Sequence, residues 1–225
     1  MFFFFVATNF QELIVLGGMD AADLGLAPEA WDYLSKSPCN TPSYFDFTAR
    51  EGLDDGVYEG MVCDYVHERS ICCGGEFGAN AGRWLAQDDC GYLEGNSWIS
   101  FDEMPNELVF PSAAPVTIDC ANYWLVSGGE SKLDSIFTKQ NIFTSFPSDH
   151  LMEPQTAMYL LDESLTWSTF EFELPVPMVA HCTVQIDENM IAFIGGVTDA
   201  SNVKKADRIN SIFIWNDGEW EYGPE

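Results

Sequence analysis

Ile191-Ala192-Phe193-Ile194-Gly195-Gly196 reads as a strand end: a short run of β-branched and aromatic residues stopped by two glycines. The same ending occurs three more times, at Leu13-Ile14-Val15-Leu16-Gly17-Gly18, Ile71-Cys72-Cys73-Gly74-Gly75 and Trp124-Leu125-Val126-Ser127-Gly128-Gly129. Successive pairs stand 54 to 67 residues apart. A repeat of that length decides architecture before any local reading, because each unit must stack on its neighbours to bury its apolar face.

Working outward from Gly195-Gly196, the segment 181–186 predicts one strand, Asp187-Glu188-Asn189 a tight turn, and 190–194 the returning strand. A polar loop at 197–208 leads to a third strand at 211–215, and a fourth begins near Trp220. Four antiparallel strands in one unit is the composition of a propeller blade. The third unit pairs 116–120 with 123–127 across Ala121-Asn122, then continues after a long insertion at 130–154 with strands at 157–161 and 167–174. The second unit has strands at 60–66, 70–73, 90–93 and 98–101. In the first, 12–16 and 30–34 read as strands, 39–47 is the candidate for the last, and 1–7 reads either as the opening strand or as the stub of a signal peptide without its basic segment.

Both middle units add a further pattern. Downstream of the double glycine stands a Tyr-containing strand (Tyr92, Tyr159), then a Trp followed six or seven residues later by Met-Pro or Leu-Pro: Trp98 to Met104-Pro105 and Trp167 to Leu174-Pro175. The combination resembles the kelch repeat, strongly over 57–225 and weakly before it, in the divergent form common in invertebrate proteins. The usual Arg ahead of the next first strand is missing, as at Ala180-His181. The repeat residues are Gly17, Gly18, Gly74, Gly75, Gly128, Gly129, Gly195 and Gly196, with Trp98, Trp167, Tyr92 and Tyr159 as the inter-sheet aromatics. The resemblance implies an all-β, kelch-type β-propeller of about four four-stranded antiparallel blades, 1–56, 57–110, 111–177 and 178–225, in one domain. Four blades is the low end for closure, so an incomplete ring, a fragment of a six- or seven-bladed one, is expected.

The charge is extreme: 36 Asp and Glu against nine Lys and Arg, a formal net charge of −27. No basic residue lies between Arg83 and Lys132 or between Lys139 and Lys204. Phosphate backbones require cationic neutralisation, so nucleic acid is excluded as a partner, and an anionic membrane surface is equally unattractive. The acids suit a basic partner or divalent cations, but their scatter also serves solubility through self-repulsion. No run reaches the ~20 apolar residues that span a bilayer.

Seven cysteines, Cys39, Cys63, Cys72, Cys73, Cys90, Cys120 and Cys182, fit no zinc or redox spacing. Their number favours a secreted, disulfide-permissive setting, with burial as free thiols the competing explanation. Cys73 ends one strand and Cys90 opens the next, so a disulfide between them is expected.

No catalytic, cofactor or metal set emerges. His67, His150 and His181 fall in different units without ligand spacing, and Cys182 beside His181 would point to the opposite face of its strand. No G-x-S-x-G elbow or calcium loop occurs. Copper radical chemistry on a kelch fold would need two His and two Tyr converging at the channel mouth, with one Tyr cross-linked to a Cys; Tyr44, Tyr65, Tyr92, Tyr123 and Tyr159 are individual candidates, and nothing positions such a set. The sequence is therefore read as a protein–protein interaction module whose specificity lies in the insertions 130–154 and 197–208. The alternative is an extracellular kelch-like enzyme or a carbohydrate-binding propeller. No BTB-type or F-box-type helical segment accompanies the repeats.

Overall fold

Strand-forming residues punctuated by turn chemistry give an all-β chain, and the computed structural model contains no helix among its described residues. These are 4–8, 12–16, 30–34, 46–50, 57–79, 83–94, 97–132, 152–198 and 208–223, with side chains described within 60–75, 86–94, 97–131, 153–198 and 208–223. Gly17, Gly18, Cys39, Tyr44 and the central parts of both insertions lie outside them.

Four antiparallel four-stranded sheets form in chain order. The first comprises β1 (Phe4–Thr8), β2 (Glu12–Leu16), β3 (Ala30–Leu34) and β4 (Asp46–Arg50). A short edge strand, β5 (Val57–Glu59), precedes the second sheet, which orders β6 (Val62–Val66), β7 (Arg69–Cys73), β10 (Cys90–Glu94) and β11 (Ser97–Phe101). Between β7 and β10 the chain adds β8 (Glu76–Ala79) and β9 (Arg83–Ala86), which join β5 in a small three-stranded sheet that the sequence pattern does not reveal. The third sheet is β12 (Ser112–Ile118), β13 (Ala121–Ser127), β16 (Met158–Leu161) and β17 (Trp167–Thr169), with β14 (Glu130–Lys132) and β15 (Met152–Pro154) paired at the base of the insertion. The fourth is β18 (Cys182–Asp187), β19 (Met190–Ile194), β20 (Ile212–Asn216) and β21 (Glu219–Tyr222). The first strands lie side by side in sequence, β1 by β6, β6 by β12 and β12 by β18. No closed ring is seen among the described residues.

One expected turn is displaced by two residues. The third unit turns at Asp119-Cys120, so Ala121 and Asn122 belong to β13, with Ile118 opposite Ala121. Asp119 and Cys120 have φ of 50° and 62°, and His67 and Glu68 have φ of 52° and 60°. Positive φ at both central residues is the two-residue hairpin geometry that matches strand twist. Cys120 is a poor residue for it, and the neighbouring hairpin supplies the compensation: Asn189 Oδ1 accepts from the Asp119 amide (2.8 Å) and Glu188 Oε1 from the Cys120 amide (3.0 Å). Asn at 122 looks like the better turn former, but this contact comes from 70 residues away.

The core consists of layers between sheets. Val66, Ile71, Cys73 and Cys90 of the second sheet pack against Trp124, Val126, Tyr159 and Leu161 of the third. The other face of the third sheet, with Ala114, Val116, Leu125, Met158 and Leu160, meets Ile191, Phe193, Phe213 and Trp215 of the fourth. Alternation along each strand thus sends one set of residues backward and the other forward, and both are apolar.

Candidate interaction face

The double glycines build one end of the stack. Gly74 and Gly75 have φ of 69° and 89°, Gly128 and Gly129 of 60° and 86°, and Gly195 and Gly196 of 71° and 86°. A side chain in this region costs about 1–2 kcal/mol per residue, and at Gly128 a Cβ would also strike the Met178 carbonyl and the His181 ring. The close approach is used: the Gly75 amide donates to Leu108 O (2.7 Å) and the Gly129 amide to Met178 O (2.8 Å). The second and third units are thereby bonded to the segments that lead into the next. Beside these bonds runs a second set. Gly60, Phe110 and Ala180, all with positive φ, hold equivalent places. The Phe110 amide donates to Gly60 O (2.8 Å) and the Ala180 amide to Phe110 O (2.9 Å), a backbone chain from unit to unit.

Both long insertions leave from this end. Glu130 exchanges backbone bonds with Val109 (2.8 and 2.9 Å), and β14 pairs with β15, so the insertion 130–154 is clamped where it starts and finishes. Val197 bonds Val179 in the same way (2.9 and 3.0 Å) and bridges to Arg208, which fixes the two ends of 197–208. The Asp88 and Asp89 carbonyls accept from the Met104 and Gly74 amides at the same end (2.8 and 3.0 Å). That geometry gathers the carboxylates of Asp88, Asp89 and Glu103 so that one oxygen of each lies within 4.8 Å of the others. Spacing alone does not reveal this trio, because Glu103 reaches it from the far end of β11.

Between the third and fourth sheets, close to Gly128, lies a buried polar cluster that sequence reasoning does not find. Ser127 Oγ is 2.9 Å from His181 Nε2 and 3.0 Å from Thr183 Oγ1, and all three residues are buried. Burial lowers the His181 pKa from 6.5 to about 4. The nearby Met178 carbonyl opposes that shift, although no atom meets hydrogen-bond geometry with Nδ1. The ring is therefore neutral at pH 7. Serine and histidine stand at nucleophile–base distance, but Ser127 has no exposed surface, so the pair serves as a polar lock between sheets. Cys182 next to it is exposed, as strand alternation requires. His67 is elsewhere, its Nε2 3.1 Å from Leu161 O, and His150 lies outside the described residues.

The aromatic repeat residues divide. Trp98 pairs with Leu93, Trp167 with Leu161 and Trp220 with Trp215, so the three Trp hold one register position on the outermost strands. Tyr92 pairs with Ile71, whereas Tyr159 pairs with Val126, one position further along, so the two tyrosines enter the layer between the second and third sheets from opposite sides. Burial raises the pKa of Tyr159, opposed by a hydrogen bond with Asn106.

Cys73 and Cys90 are register partners with sulfurs 2.07 Å apart. A second pair, Cys63 and Cys72, spans β6 and β7 at 2.34 Å. Adjacent residues of one strand point to opposite faces, so Cys72 and Cys73 tie β7 to its two neighbours on opposite sides of the sheet. The second pair is hidden in the sequence because both candidates fall inside predicted strands.

No family model matches the chain, and no curated protein does. Among solved structures, that of YjhT is similar to it with a TM-score of 0.66 at 13% identity, over 98% of this chain and 64% of that one. The chain spans slightly less than two thirds of the length of YjhT, and at this identity the likeness is one of fold alone.

Proposed function

We propose that the chain is a divergent kelch-type β-propeller array acting as a protein–protein interaction module, and that it binds a partner with a basic surface at its double-glycine end. One observation supports this above the rest: the insertions 130–154 and 197–208 are anchored by backbone pairs at the same end of adjacent sheets, beside the carboxylates of Asp88, Asp89 and Glu103. A sheet frame carrying long loops on one end suits recognition. The charge pattern gives the contact a polarity. The body holds most of the −27, while the insertions contain Lys132, Lys139, Lys204, Lys205 and Arg208, five of the nine basic residues. Such alternation steers a basic partner to the acidic frame and lets the insertions test its acidic spots. Two cystine pairs, Cys63–Cys72 and Cys73–Cys90, are in keeping with a secreted protein.

Affinity capture with the full chain as bait tests the reading, run beside a bait with 133–151 replaced by a short Gly-Ser linker and beside D88N/D89N/E103Q. A basic protein retained by the full chain should be lost with the shortened insertion and weakened severalfold by the triple variant, more so at low salt. The same proteins on all three baits, or glycan binding indifferent to both changes, would refute it.

A further inference from the structure

The segment 178–181, between the third and fourth sheets, holds the ends of both long insertions at once. Met178 O accepts from the Gly129 amide (2.8 Å), just before the insertion 130–154 begins, and the Met178 amide donates to Gln155 O (3.4 Å), just after it ends. Val179 exchanges two backbone bonds with Val197, where the second insertion starts, and Val197 bridges to Arg208, where it closes. The Ala180 amide donates to Phe110 O (2.9 Å). Met178 and Val179 are fully buried, so their backbone groups cannot trade these partners for water unless the segment moves.

His181 fixes the last residue of this segment. It lies between the double glycines of two sheets: a Cβ on Gly128 would come within 2.9 Å of His181 Cε1, and one on Gly196 within 2.9 Å of His181 Cβ. Nε2 bonds Ser127 Oγ, which Thr183 also bonds, and the ring packs against Phe193 with centroids 6.2 Å apart. The residues that face it are thus Ser127 and Gly128 from the third sheet, Thr183, Phe193 and Gly196 from the fourth, and Met178 through its carbonyl. None of these titrates, and Glu130 and Arg208 are the charged residues of the clamps themselves. An imidazolium must donate from both nitrogens, and Nδ1 has no hydrogen-bond partner in place. The nearby acceptor is the Met178 carbonyl, which already serves the Gly129 amide. A buried, unpaired charge is costly, so the protonated ring is favoured only where the segment has opened to water.

We propose that the segment 178–181 is a proton-operated hub: a proton on His181 favours its opened form, and opening releases the backbone clamps at the ends of both insertions together. As a control on partner binding this rests on the interaction role proposed above; as a device of the fold it does not.

Amide hydrogen exchange of the full chain, followed residue by residue by NMR, tests the hub without a partner. It is run at pH 7 and pH 5, at several urea concentrations below the unfolding transition, with each rate corrected for the intrinsic pH dependence of exchange. The amides of Gly129, Val179, Ala180 and Val197 should lose protection together. The loss should be roughly twentyfold between the two pH values, for a ring with a pKa of 6.5 when open and about 4 when closed. A local opening exposes little surface, so their protection should be nearly insensitive to urea. Leu125 and Phe193, in the middle of the interior strands β13 and β19, should instead respond strongly to urea. In His181→Gln the pH response of the four amides should largely vanish; if that variant fails to fold, the wild-type series still decides. Protection that does not change with pH overturns the proposal. So does protection that follows urea as that of Leu125 does, because only global unfolding then frees the clamps. A pH response kept in full by His181→Gln also overturns it, by assigning the effect to carboxylates. Failure of the affinity capture beside a positive exchange result would remove the interaction role and leave the hub standing.

Discussion

Acidification should loosen the joint between the third and fourth sheets through one residue. His181 is buried beside Ser127 and Thr183, and its pKa falls from 6.5 to about 4. The unfolded chain takes up the proton near pH 6.5, whereas the folded chain resists it until about pH 4. Stability is thus full above pH 6.5 and is lost as pH falls through that window, because there the unfolded state binds more protons. At 1.36 kcal/mol per pKa unit the loss approaches about 3 kcal/mol, which for a chain of this size is a drop of roughly 6–12 °C in melting temperature. The assay is thermal or urea unfolding of the wild type and His181→Gln at half-unit steps from pH 7.5 to 4. Carboxylates titrate in both proteins, so the difference isolates the imidazole. The Gln variant should be less stable at pH 7, for lack of a well-shaped partner to Ser127, and should close the gap as pH drops. Parallel curves across the whole range would show that His181 is not held neutral in the fold and would refute the reasoning.

The double glycines give a paired test: Gly128→Ala should cost about 3 kcal/mol or more, since its Cβ meets backbone, whereas Gly195→Ala has nothing within 4 Å and should cost only about 1–2 kcal/mol for its positive φ, both read by urea unfolding. Replacing Cys73 and Cys90 by Ser, or Cys63 and Cys72, should each lower stability by about 3 kcal/mol for closed loops of this length. Thiol labelling of the unreduced, denatured chain should leave at least those four unreactive; seven reactive thiols would remove the basis of the prediction. Burial raises the pKa of Asp64 despite the hydrogen bond from the Tyr65 amide (2.8 Å) and the opposing influence of the nearby Trp124 indole. A carboxyl raised in the fold is a liability at neutral pH that protonation relieves, so Asp64→Asn should stabilise at pH 7 and lose its advantage as the acid protonates; an advantage that persists at low pH would contradict that cause.

The sheets were legible because their markers are local. Alternating apolar residues, a turn and a double glycine all lie within about fifteen residues, and strands β2, β3, β6, β7, β10, β11, β19 and β20 fall where that pattern puts them. What was hidden depends on residues far apart in sequence. The turn at Asp119-Cys120 is set by Glu188 and Asn189, the lock of Ser127 by His181, and the small sheet of β5, β8 and β9 by a pairing that wraps around β6 and β7. The position of Tyr159 shows the same limit: a tyrosine in the third strand is easy to see, but one step of register decides which layer it enters.

The units agree in backbone more than in side chains, which explains how the fold survives such divergence. Ser127, Cys73 and Ile194 all precede a double glycine, yet one is hydrogen-bonded to a histidine, one is half of a cystine and one is 39% exposed. The described units share the positive φ of the glycines; the second and third also share the amide of the second glycine bonded to the following segment, and bonds link Gly60, Phe110 and Ala180. Any side chain that fills the gap between two sheets satisfies the rest. A frame defined in that way constrains few residue identities, so a chain can share 13% identity with YjhT and still superimpose on it with a TM-score of 0.66. It also concentrates individuality at the interfaces. Each interface can carry its own device, a titratable lock in one and a cystine in another, without disturbing the strand pattern that repeats around it.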